Sequence, residues 1–118
     1  MLPKVFRLKK KRLFQQVYKE GKAVTSPILV LTYHPADKQG NPKIGFAVAR
    51  KIGTAVSRNR VKRIMREAIK PYVGLINPNY NIIFLARMKI RGISLKDVEK
   101  NILALLKRAQ LLNRNEEK

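Results

Sequence analysis

Six cations fall within the segment KIGTAVSRNRVKRIMRE: Lys51, Arg58, Arg60, Lys62, Arg63 and Arg66. A guanidinium is a planar fork that can hold two phosphate oxygens at once, so this spacing suits a polyanionic backbone. Placed on a helix at about 100° per residue, Arg58, Lys62 and Arg66 line up at i, i+4 and i+8. Asn59, Arg63 and Lys70 lie beside them, while Val61, Ile64, Met65, Ala68 and Ile69 make an apolar face opposite. Like charges at i, i+4 cost a helix a few tenths of a kcal/mol per pair. A helix meant only for solvent would intersperse acids, and here Glu67 alone does so. The helix is built to face a polyanion.

Other chemistry finds little support. A metal-dependent nuclease gathers carboxylates around its ions. In this chain Glu20, Asp37, Glu67, Asp97, Glu99, Glu116 and Glu117 are scattered over loops, exposed helix positions and the tail. Acid–base catalysis by a histidine pair needs more than His34, which precedes Pro35 and reads as a surface residue at a strand end. There is no cysteine nucleophile, and Ser26, Ser57 and Ser94 sit where turns or helix caps explain them. Neither a Walker loop nor GxGxxG occurs. The chain alone is expected to catalyse nothing and to hold no metal.

The elements that must carry the basic segment can be read along the chain. Its 118 residues are expected to form one domain, with a basic, irregular arm over 1–12 and a polar tail over 113–118. Leu13, Phe14, Val17 and Tyr18 have helical spacing, with Gly21 as C-cap. Ile28–Tyr33, Ile44–Ala49 and Tyr80–Ala86 read as strands, and Pro35–Pro42 as a turn. The basic helix is expected to run from Ser57 as N-cap to Lys70, ended by Pro71. Ser94 and Asp97 resemble a capping box ahead of Leu95, Val98, Ile102, Leu105, Leu106 and Ala109. The order predicts an α+β sandwich, a small sheet covered by helices.

Lys and Arg number 27 against 7 acids, a formal charge of +20, while 45% of residues are hydrophobic. That content excludes a disordered basic tail, and the charge calls for a neutralising partner, nucleic acid first. The absence of cysteine fits the cytoplasm. No run is apolar enough for a membrane span.

The segment also resembles the signature of the protein component of bacterial ribonuclease P. Arg58, Asn59 and Arg60 match that family's RNR motif, and Lys51, Gly53, Ala55, Val56, Lys62, Arg63 and Arg66 match around it. The likeness spans roughly residues 5 to 110. It implies an αβββαβα order with a left-handed crossover through the RNR helix. It also implies that the catalytic RNA, with bound Mg2+, cleaves precursor tRNA, while the protein supports that RNA and grips the single-stranded 5′ leader. By position, Lys51, Arg58, Asn59, Arg60, Lys62, Arg63 and Arg66 would meet RNA. Phe14, Tyr18, Thr32, Val48, Lys62 and Arg66 would line the leader cleft. Two positions depart from relatives: the KKKRL run lacks an acidic or Asn cap before the first helix, and Thr32 stands where relatives can carry a tyrosine.

Two further classes share the charge. A ribosomal or other structured-RNA binding protein would have no reason to match the RNR pattern in order. A membrane-surface protein would need a spare aromatic-rich apolar face. Neither a membrane nor DNA is expected as a partner.

Overall fold

The computed structural model describes residues 6–36 and 40–112. The start of the basic arm, the middle of the 35–42 turn with Asp37, and the 113–118 tail lie outside the described residues. The elements are α1 (Lys11–Glu20), β1 (Lys22–Thr25), β2 (Leu29–Pro35), β3 (Lys43–Val48), α2 (Ala55–Ile69), β4 (Tyr80–Ala86) and α3 (Leu95–Arg108). Short 3-10 turns at Arg50–Ile52, Lys70–Leu75 and Met88–Ile90 join them.

The four strands stand in the order β1-β2-β4-β3. β2 runs antiparallel to β1 and β4, whereas β3 pairs parallel with β4, so α2 lies within a crossover connection. Leu31, Phe84 and Phe46 form one cross-sheet row. Strand alternation sends Leu29, Leu31, Ile44, Ile82, Phe84 and Ala86 to one face. There they meet Val61, Met65, Ala68 and Ile69 of α2 and Val98, Ile102, Leu105 and Leu106 of α3 in the main core. Ile83 points the other way, into a smaller cluster with Leu8 and Val17, flanked by Leu13, Phe14 and Ala47. α1 therefore covers the sheet face opposite α2 and α3.

Several boundaries differ from the sequence expectation. α2 starts a turn early: Thr54, not Ser57, is its N-cap, and its side chain accepts from the Ser57 N–H at 3.2 Å. Both residue types cap well, and the earlier cap wins by adding Ala55 and Val56 to the helix. Among the described residues the arm ends at Lys10, since Lys11 and Arg12 belong to α1. Its inner part docks on the free edge of β3, where the Leu8 N–H donates to the Ile44 carbonyl at 2.9 Å and Leu8 is buried. Gly21 does cap α1, but with extended backbone (φ −80°) rather than a left-handed one. Space is what requires glycine there: a Cβ would collide with the Val17 carbonyl and come within 2.6 Å of the Tyr33 carbonyl oxygen. β1 has no counterpart among the strands read from residue pattern. The Ser94 cap is as expected, accepting from the Asp97 N–H at 3.2 Å. Past α2, Tyr72 donates to the Glu99 carboxylate at 2.8 Å and ties the following turn to α3.

Candidate nucleic-acid interface

α2 presents its cations on two flanks. Arg58, Lys62 and Arg66 share the flank towards α1, with Lys62 and Arg66 half-buried. Arg66 lines a groove of about 300 Å³ together with Arg7, Lys9, Phe14 and Phe46. The walls are the 7–9 segment, α1, β3 and α2, so four stretches distant in sequence converge here. Phe14 reaches its place by lying directly on Gly45, where any Cβ would run into the ring. Tyr18 follows one turn later on α1 and is 47% exposed. Burial of the rest of its surface pushes its phenol above the ordinary range, so the ring is neutral at physiological pH.

The flatness of this groove depends on one missing side chain, which gives a testable consequence. Gly45→Ala is expected to cost about 1–3 kcal/mol by overpacking against Phe14. In a Phe14→Ala background the same change should cost far less, a non-additivity read from urea unfolding of the four proteins. Equal costs in both backgrounds would mean that the ring does not rest on Gly45.

Of the six residues expected in the cleft, Phe14 and Arg66 line this groove, while Tyr18, Thr32, Val48 and Lys62 are not among its lining residues. Val48, at the end of β3, lies outside the groove lining and packs half-buried against the main core. Thr32 is buried, 7% exposed, on the α1 side of β2 and opposite Ile83. Tyr33 points to the other face, its ring 6.1 Å from that of Tyr80.

Arg58 is partly committed within the chain. Its guanidinium donates to the Gly53 carbonyl at 2.9 Å, bracing the turn that feeds α2. Asn59, Arg60, Arg63 and Lys51 are exposed. Arg60 and Arg63 occupy the second flank, facing the 90–93 turn rather than α1. Among the described residues no carboxylate lines either groove. Sequence reasoning did not single out Arg7, Lys9, Phe46 or Arg91. The first two lay inside a basic run with no internal pattern. Phe46 was read only as part of the Ile44–Ala49 strand.

Among the described residues no group of three or more His, Cys, Asp or Glu could hold a metal ion. None of the described helices is long and apolar enough to cross a membrane. The geometry offers cations on both flanks of one helix and an aromatic-lined groove beside one of them. That pairing suits single-stranded nucleic acid, in which unstacked bases need a flat platform and the backbone needs cations.

Comparison with known proteins agrees. The Ribonuclease P family model matches residues 2–110. The chain is 37% identical to the ribonuclease P protein component of Clostridioides difficile over 105 residues, 88% of this chain and 91% of that one. It is 34% identical to the corresponding protein of Syntrophomonas wolfei, over 100% and 98% of the two chains. Among solved structures it is similar to the Staphylococcus aureus RNase P protein, with a TM-score of 0.80, 30% identity, and coverage of 92% and 98%. The Thermotoga maritima RNase P protein gives a TM-score of 0.77 at 30% identity, covering 86% and 96%.

Proposed function

The chain belongs to the ribonuclease P protein family, and from that membership we propose that it is the RNA-binding subunit of ribonuclease P. In this reading it assists a catalytic RNA in removing the 5′ leader from precursor tRNA. The observation that carries the reading is the groove in which Phe14 and Arg66 face one another beside Arg7 and Lys9. A leader nucleotide laid across it would stack on Phe14 or Tyr18 while Lys62 and Arg66 hold the backbone. Arg60 and Arg63, on the far flank, would meet the catalytic RNA, with Asn59 and Lys51 beside them. Arg58 would shape the turn before α2 as well as contribute charge. The Mg2+ that phosphodiester hydrolysis requires would be held by the RNA and not by this chain. A ribosomal protein with the same charge is not favoured, because the family match spans the whole domain.

The decisive experiment compares cleavage of a leader-bearing precursor tRNA by the protein, by ribonuclease P RNA, and by both at low Mg2+. Cleavage is expected with RNA, strongest with both, and absent with protein alone. Cleavage by the protein alone would overturn the division of labour.

The flanks predict different mutant signatures. Arg60→Ala and Arg63→Ala should leave the fold intact and weaken assembly with the RNA, each flattening the log–log salt dependence by roughly 0.7–0.9. Arg58→Ala should also lower thermal stability, by about 1 kcal/mol, because the Gly53 carbonyl loses its partner. Unchanged affinity and salt slope for Arg60→Ala and Arg63→Ala would make that flank an ordinary solvated surface.

A further inference from the structure

On the flank of α2 turned away from α1 lies a second groove, of about 700 Å³, which shares no lining residue with the groove proposed for the leader. One wall is α2 and the other is the 90–93 turn; the floor is Ile52 and Val61, both buried. Val56 stands on its rim at 79% exposure, the highest among the large apolar side chains of the described residues that lie open. Arg60, Arg63 and Arg91 surround this apolar strip without an acid among them. A surface serving phosphates alone has no need of an apolar strip, and one serving an apolar partner has no need of three guanidinium groups.

We propose that this groove seats one unpaired nucleotide of the RNA subunit, its base laid over Val56 and Ile64 and its flanking phosphates held by Arg60, Arg63 and Arg91. The inference rests on the ribonuclease P reading and adds to it a defined mode of contact. Charge decides between possible occupants. A second copy of the chain would bring two arginine rims together at a net charge of +20 each. Base-paired RNA keeps its base faces stacked and offers side chains only edges and backbone, whereas an unpaired nucleotide presents a face to apolar groups and to arginine planes. The groove also falls within the roughly 300–1,000 Å³ typical of sites that bury a small ligand.

The chain contains no cysteine, so Val56→Cys introduces a single thiol. Alkylated with benzophenone maleimide and photolysed in the holoenzyme assembled with ribonuclease P RNA, it should produce reverse-transcription stops at one cluster of unpaired nucleotides. Arg91→Gln in the same background should lower the yield several-fold. Without label, Val56→Asp is expected to weaken RNA assembly by roughly tenfold. Its thermal unfolding should match the parent, because an acid in the first turn of a helix is favourable. Stops spread along paired segments, no RNA crosslink from a labelled protein that still assembles, or full affinity in Val56→Asp would each overturn the proposal. If the unmodified chain does not assemble with the RNA at all, the ribonuclease P reading itself fails, visibly before any labelling, and the groove proposal falls with it.

Discussion

Phe84→Ala is expected to cost about 3–5 kcal/mol, enough to consume most of the stability of a domain this size. Phe84 is fully buried at the centre of the sheet, paired with Leu31 on β2 and Phe46 on β3. Its ring stacks on Phe46 with centroids 6.1 Å apart and planes at 16°. Truncation removes the ring's transfer energy and leaves a void that α2 and α3, tied through the same core, cannot close without moving. The charge of +20 leaves little reserve, since self-repulsion already opposes the compact state. Urea unfolding followed by circular dichroism should show the loss as a lower midpoint with an unchanged slope. Added salt should raise the midpoints of parent and variant alike. A loss under about 1 kcal/mol would place Phe84 outside the cooperative core.

The second large effect concerns substrate discrimination. In the assembled holoenzyme, Tyr18→Ala is expected to weaken binding of leader-bearing precursor tRNA by about 1–3 kcal/mol, the usual worth of one base stack. Tyr18 tests this better than Phe14, because it is 47% exposed while Phe14 also supports the packing of α1. Lys62→Ala and Arg66→Ala should weaken the same complex by loss of charge-assisted phosphate contacts. Mature tRNA, which lacks the leader, should bind all three variants almost as it binds the parent. Shortening the leader to one or two nucleotides should erase the difference. The measurement is a pair of affinities per variant at fixed salt and Mg2+. Equal losses on both ligands would assign these residues to the fold or to RNA assembly and remove them from the cleft.

Much of this molecule was legible in its residues because the signals are local. The 3.6-residue periodicity through Val61, Met65 and Ala68 announced α2 and the face it buries. Tyr80–Ala86 matched its strand at both ends, since a β-branched, aromatic run flanked by turn residues allows few other conformations. The family signature lay in the same short stretch. β1 was not legible: its four residues hold one long apolar side chain, Val24, and its partner is β2 alone, so pairing rather than pattern makes it a strand.

The site divides the same way. Charge and residue type marked α2 as a helix built to face a polyanion. Only the tertiary structure decided which cations share a surface, because helix periodicity sets angles around one axis but not what packs against each flank. α1 crossing to the opposite sheet face brought Phe14 to Arg66, and the 90–93 turn brought Arg91 to Arg60. Packing likewise set Val48 half-buried against the core, outside the groove lining, and the Gly53 carbonyl drew in Arg58. Each of these depends on contacts between residues far apart in sequence or on the conformation of a turn, which composition and spacing do not encode.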